Sequence, residues 1–185
     1  EGYPLQHDSP DQKILGYGFP SAEIGWSNLL TYKQFDFNFF FRGAFGHSLI
    51  NTFRFFYEPI DPGAINSYNR VITDKAVAGN SFSTYSSLYV EKADFIRLDN
   101  LSVGYTLPTD QLQAFDKIRF YTTVENAFTL TNYTGYDPDP SILDFGPRDN
   151  GNDRSNTPSL VAPGIDRRNF YYTARTFLVG LEAKF

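Results

Sequence analysis

The last eleven residues, Arg175-Thr-Phe-Leu-Val-Gly-Leu-Glu-Ala-Lys-Phe185, alternate. Phe177, Val179, Leu181, Ala183 and Phe185 fall on one face of a strand, and Thr176, Gly180, Glu182 and Lys184 on the other, with Leu178 as an apolar exception. An apolar-out, polar-in strand of about ten residues suits a membrane-spanning β-barrel, where one face meets lipid and the other an aqueous lumen. The last strand of a soluble sandwich would read the same way, so the decision rests on the rest of the chain.

Four further segments alternate. Residues 23–33 place Ile24, Trp26, Leu30 and Tyr32 on one face, with Asn28 as a polar exception. Residues 35–45 set Phe35, Phe37, Phe39 and Phe41 against Asp36, Asn38 and Arg42. A helix would scatter those four rings around its axis and lose that segregation. Residues 95–107 turn Leu101, Val103, Tyr105 and Leu107 outward and Asn100, Ser102 and Thr106 inward. Residues 117–128 turn Ile118, Phe120 and Val124 outward and Arg119, Thr123 and Glu125 inward.

Short and long connections alternate between these strands. Lys33-Gln34 and the stretch 108–116 are turns, whereas 46–94 and 129–175 are long polar segments rich in Gly, Pro, Asn and Asp. Outer-membrane barrels are built this way, with short periplasmic turns and long extracellular loops. Residues 1–22 are then the tail of another outer loop. Five strands are too few to close a barrel, since the smallest use about eight. Either more strands lie in the loops, around 49–57 or 87–92, or the chain is an arc of a larger barrel.

Composition sharpens the choice. Aromatic residues make up 18% of the 185 positions, with 19 Phe, 13 Tyr and one Trp, yet mean hydropathy is only −0.37. That pairing fits aromatic girdles, a polar lumen and long loops. No apolar run approaches the roughly 20 residues of a transmembrane helix. The net charge of −5 argues against nucleic acid as a partner, and the absence of cysteine excludes disulfides and thiol chemistry. The chain has no methionine, not even an initiator, which leads to the expectation of a piece of a longer polypeptide, an arc rather than a whole barrel.

Several stretches resemble the C-terminal end of the SusC/RagA family, the TonB-linked outer-membrane transporters of Bacteroidetes. Gly18-Phe-Pro-Ser-Ala-Glu-Ile-Gly-Trp26 and the Phe-rich segment from Phe35 to Gly46 resemble its paired strands. Residues 89–108, with Ala93-Asp-Phe-Ile-Arg-Leu-Asp-Asn-Leu-Ser-Val-Gly-Tyr105 inside them, are the most specific match. Ile118 to Pro138 resembles the next strand and its entry into an outer loop, and Pro163-Gly-Ile-Asp166 with Arg175-Thr-Phe177 the run into the closing strand. The resemblance implies an all-β, multi-pass transmembrane antiparallel barrel of about 22 strands in the outer membrane, of which this chain, residues 1–185, is the C-terminal arc. It also implies an N-terminal plug, energisation by TonB, and a SusD-like lipoprotein as cap, with oligosaccharides or peptides as cargo. Neither plug nor TonB box is readable in these residues. Phe177, Val179, Gly180, Leu181 and Phe185 are the expected barrel-assembly signal, which Leu178 fits less well than a polar residue would.

No catalytic constellation stands out, and the expected protein is not an enzyme. His7 and His47 lie far apart in outer segments, without an adjacent nucleophile or ligand cluster, and read as loop residues. Asp149-Asn-Gly-Asn-Asp153 loosely resembles a calcium loop but lacks the distal Glu of an EF-hand. Asp149 and Asp153 are therefore a weak candidate for Ca²⁺, and no other cofactor is expected. Tyr133, Tyr136, Asp137 and Asp139 form an aromatic and acidic cluster suited to stacking on and hydrogen-bonding a sugar or peptide. The alternative is that Pro138 and Pro140 stiffen the loop and the tyrosines pack it, with Arg167-Arg168 pairing the carboxylates. Arg42, Arg97, Arg119 and Glu125 read as a lumen-facing polar network against the plug. Two rivals to transport remain at this level: a structural platform of the same family, and a soluble all-β glycan-binding module.

Overall fold

A computed structural model describes residues 13–59, 70–77, 86–108, 114–139, 163–166 and 173–185. The chain divides into two units. One is built from Ala22–Phe45, Phe95–Thr131 and Thr173–Phe185; the other from Gly46–Asp94 and Asn132–Tyr172 with the lead-in to Ser21.

The first unit is one antiparallel sheet of five long strands: β1 (Ala22–Tyr32), β2 (Phe35–Phe45), β5 (Phe95–Leu107), β6 (Lys117–Thr131) and β8 (Thr176–Lys184), in the spatial order β1-β2-β5-β6-β8. These are the five segments that the alternation marks, within a few residues at each end. Their lengths run from 9 to 15 residues, and a tilted strand needs about 9–11 to cross a bilayer. β1 and β2 turn at Lys33-Gln34, where Lys33 takes a positive φ of 54°. At the same end Thr106 N donates to Gln34 O at 2.8 Å, Asp116 N donates to Lys184 O at 2.8 Å, and the Phe115 and Phe185 rings lie 4.9 Å apart. The long connections all leave from the opposite end.

Register places most apolar residues of the five strands on one face, with Leu29, Phe40 and Leu178 as exceptions on the other. Tyr32, Phe35, Tyr105, Phe120 and Leu181 are successive cross-strand partners. Above them run Leu30, Phe37, Val103, Thr122 and Val179, then Asn28, Phe39, Leu101, Val124 and Phe177. Trp26, Phe41, Leu98 and Phe128 complete the upper rim. Trp26 meets Phe39 edge-on at 5.2 Å and stacks on Phe41 at 6.0 Å. Aromatic rings are densest in the first and last of these rows, and aliphatic residues fill half of the positions between them, a distribution that suits two interfacial girdles.

A bulge keeps this face apolar. Between Phe40/Phe41 of β2 and Leu98/Asn100 of β5 the register shifts, so Asp99 is an extra residue. Opposite it on β6, Asn126 adopts a positive φ of 52°, a conformation that Asn tolerates better than most side chains. Without the bulge, Arg97 would share a face with Leu101.

The second unit forms from the long connections. β3 (Ser48–Asn51) pairs antiparallel with β4 (Val90–Lys92) and parallel with β7 (Ile165–Asp166), giving the order β4-β3-β7. Both regions considered for hidden strands therefore carry strand, but in a small separate sheet that adds nothing to the five. Two thirds of 49–57 is helix instead: α1 (Thr52–Tyr57) starts where the Asn51 side chain accepts from Arg54 N at 3.1 Å. Residues 87–89 likewise form one 3-10 turn before β4. Leu49, Ala93 and Tyr133 make the small apolar core.

Candidate functional site

The outward face of the sheet is the largest chemical feature. Val179 is 87% exposed, Phe177 69% and Trp26 56%, and among the described residues of this unit no second layer covers them. An apolar patch on this scale, contiguous over five strands, needs a non-aqueous environment. A soluble all-β module would bury such a face against a second sheet. Among the described residues no helix is long and apolar enough to cross a membrane.

The inward face is polar and internally bonded. Arg119 on β6 holds Asp36 on β2 through two bonds, Nε to Oδ1 at 2.9 Å and Nη2 to Oδ2 at 2.5 Å. Arg42 Nε donates to Asp99 Oδ2 at 2.9 Å, Arg97 Nε to Thr129 Oγ1 at 2.9 Å, and Thr123 Oγ1 to Ser102 Oγ at 2.9 Å. Arg42 and Arg119 thus sit where the alternation puts them, and Arg97 joins them on the inner face through the bulge at Asp99, all three in cross-strand contacts. Glu125 shares this face, opposite Asn100 and Thr176. In the closing strand, Phe177, Val179 and Leu181 point outward, and Gly180 lies on the inner face opposite Tyr121.

The unit made from the loops is organised around buried charge. The Arg54 guanidinium donates to Glu58 Oε1 at 2.7 Å and Oε2 at 3.1 Å, to Glu91 Oε1 at 2.9 Å, and to the carbonyls of Leu88 and Lys75 at 3.0 and 3.1 Å. Glu91 also accepts from Lys75 Nζ at 2.7 Å and from Thr134 Oγ1 at 2.8 Å. Thr73 Oγ1 donates to Glu58. One arginine therefore ties together α1, the 70–77 segment, β4 and the start of the 132–139 segment. Burial alone would raise the Glu91 carboxyl, but the bonds from Lys75, Arg54 and Thr134 outweigh it and hold it down to about 2. Burial opposes the Arg54 charge as well, and Glu58 and Glu91 more than offset it.

Within this unit the aromatic and acidic cluster splits. Tyr133 is 6% exposed, and its hydroxyl donates to Asp166 Oδ2 at 2.6 Å. Burial, then the Asp166 carboxylate, push the Tyr133 hydroxyl pKa up. Burial also raises Asp166, against bonds from Tyr133 and the Tyr136 backbone N–H. Tyr136 is 43% exposed and packs edge-on against Phe53 at 4.8 Å, with Tyr57 5.0 Å beyond on α1. Asp137 Oδ1 accepts from Asp139 N at 2.9 Å, and both carboxylates are partly exposed. Three partly exposed rings beside two acids can stack on a flat ligand and accept its hydrogen bonds.

His47 is not a simple loop residue: it is buried, with Nε2 2.9 Å from Pro138 O. His7, Asp149, Asp153, Pro140, Arg167 and Arg168 lie outside the described residues. Among the described residues no group of three or more His, Asp or Glu side chains is placed to hold a metal ion. The sequence reading missed Arg54, Glu58, Glu91, Asn51 and Asp166. Only the four-residue spacing of Arg54 and Glu58 signals any of them, in a segment whose aromatic residues also suit a strand.

No protein-family profile matches the chain. Over 95% of its length it is 33% identical to TonB-dependent receptor P3 of Formosa agariphila, matching 17% of that protein. It is 27% identical to TonB-dependent receptor SusC of Bacteroides thetaiotaomicron over 96% of its length, matching 16% of that protein. Among solved structures, the RagAB peptide importer in its open-open state matches 98% of this chain with a TM-score of 0.66 at 21% identity, using 19% of the importer chain. The closed-closed state gives 0.65 at 20% identity. The chain therefore spans less than a fifth of the length of these relatives.

Proposed function

We propose that this chain, a homologue of the SusC/RagA TonB-dependent receptors over less than a fifth of their length, is the C-terminal arc of the barrel wall of an outer-membrane importer. The observation that carries this reading is the continuous exposed apolar face on five strands in meander order, opposite a face of bonded charges. Lipid takes the first face. The second lines the lumen and packs against a plug that belongs to the longer polypeptide and receives TonB. The arc does no covalent chemistry; it contributes wall, and its loop unit contributes the outer mouth.

At that mouth Tyr136, Asp137 and Asp139 meet the cargo, an oligosaccharide or a peptide, and a SusD-like lipoprotein covers it from outside. Tyr133 supports the segment from beneath through Asp166. The proline before Asp139 limits how far the segment can rearrange, which lowers the ordering cost of binding.

The test is uptake. Cells carrying the full-length protein, with TonB intact or deleted, are offered labelled oligosaccharides and labelled peptides. The reading predicts uptake of one class that needs both the protein and TonB, and that falls at least several-fold with Tyr136→Ala. A membrane-inserted protein that supports no energised uptake of either class would overturn transport and favour a structural platform.

A further inference from the structure

One row of inner-face positions alternates between a side chain and none. Asp36, Gly104, Tyr121 and Gly180 are direct cross-strand partners on β2, β5, β6 and β8. Both glycine hollows are filled from outside their own strand. Over Gly104 passes the Arg119–Asp36 ion pair: a Cβ there would sit 2.4 Å from Arg119 Nη2 and 2.4 Å from Asp36 Oδ1. Over Gly180 lies the Tyr121 ring, 2.3 Å from where a Cβ would be. The Arg119 guanidinium carbon is 5.1 Å from the Tyr121 ring centroid, so the two fillings touch.

The apolar face cannot by itself fix where β8 docks. Phe177, Val179 and Leu181 recur every second residue, so a slip of two residues returns apolar to apolar and polar to polar. On the inner face the same slip is costly. It would bring Leu178 or Glu182 beneath the Tyr121 ring, where only a residue without a Cβ leaves room. We infer that Tyr121 seated on Gly180, braced by Arg119 and Asp36 across Gly104, is the device that sets the register of β8 on β6. Gly180 is then a positioning residue. Its place in the expected assembly signal follows from a hollow it must supply to its neighbour.

The inference rests on the barrel reading only for the compartment in which it is tested. In the full-length protein, in a background without other cysteines, three cysteine pairs are made. Thr123/Leu178 are partners in the observed register; Thr123/Thr176 and Glu125/Leu178 become partners after a two-residue slip in either direction. The unaltered strand gives the first cross-link and little of the others. Gly180→Ala and Tyr121→Ala are each expected to lower the native cross-link at least threefold and to raise a slipped one, and the double variant to be no worse than either alone. Tyr121→Phe keeps the ring and is expected to keep the register. A variant that accumulates poorly is refolded into detergent micelles and read with the same pairs. Native cross-linking unchanged in both Gly180→Ala and Tyr121→Ala, or slipped products equally abundant with Tyr121→Phe, would overturn the inference. Should the protein prove soluble, the membrane reading fails, yet the cross-links still report the register.

Discussion

Arg42 and Arg97 stand directly opposite each other on β2 and β5, two cations in register. Like charges so placed repel, and three features offset the repulsion. Arg42 is held by Asp99 at 2.9 Å, Arg97 by Thr129 at 2.9 Å, and their guanidinium carbons lie 5.6 and 5.3 Å from the ring of Phe95. Asp99 is also the bulged residue, so the kink that turns Arg97 inward supplies the carboxylate that makes the pair tolerable. Asp99→Asn is expected to cost about 1–2 kcal/mol, as one charge-assisted bond on a half-exposed face. Arg97→Gln is expected to recover part of that loss. Equal losses for Asp99→Asn with and without Arg97→Gln, in urea-dependent unfolding of detergent-solubilised protein, would contradict it.

The lipid face gives a sharper contrast between adjacent positions. Phe39 packs against Trp26 and Phe41 on the outer face, and Asn38 lies on the inner face opposite Ser102. Phe39→Arg places a cation near the bilayer midplane and should cost about 2–4 kcal/mol. Asn38→Arg should cost well under half as much. The heat-modifiable gel shift of membrane fractions measures both, and equal losses would defeat the register of β2.

Orientation follows from the connections. Asp74 is exposed in the loop unit, and Gln34 is exposed in the two-residue turn between β1 and β2. A cysteine at Asp74 should react with an impermeant thiol reagent on intact cells, and one at Gln34 should not. The assay is repeated after removal of any outer lipoprotein. Labelling at Gln34 in intact cells would invert the topology.

Acid should loosen the loop unit. The Glu91 pKa is depressed from 4.5 to about 2 in the folded state, so its stabilisation is present above about pH 4.5 and is lost as pH falls towards 2. The linkage is worth roughly 3 kcal/mol for a buried carboxylate shifted this far. Asp166, raised by burial, acts in the opposite sense, because its protonation relieves a penalty. Hydrogen-exchange protection factors of the Asn51, Arg54 and Glu91 amides, taken against the intrinsic rate at each pH, should therefore fall across pH 4.5 to 2. With Glu91→Gln protection should be low already at neutral pH and flat across that window. A flat profile in the unaltered protein would contradict the role given to Glu91.

The parts of the fold legible in the sequence are those where one physical rule governs alone. Along β2, lipid outside and water inside impose an alternation broken at Phe40, and Phe35–Phe45 is read to the residue. On β5 two rules compete. Alternation carried back from Leu101 would turn Arg97 outward, and only the bulge at Asp99, which no local pattern announces, turns it in. The loop unit was opaque for a different reason. Its core is the ion cluster of Arg54, Glu58 and Glu91, whose members lie 4 and 37 residues apart, and polar residues at such separations look like loop. Tyr133 and Tyr136 read as one cluster, yet one ring is buried on Asp166 and the other faces out. Three residues of spacing do not determine that.

The central claim is that one face of this sheet meets lipid. Single cysteines at Phe37, Asn38, Phe39 and Phe40 of the full-length protein, each carrying an environment-sensitive fluorophore, are placed in bilayers whose acyl chains bear a nitroxide quencher. The account predicts strong quenching at Phe37 and Phe39 and weak quenching at Asn38 and Phe40, a period of two that persists across the strand. Uniform quenching, or none at any of the four positions, would contradict it.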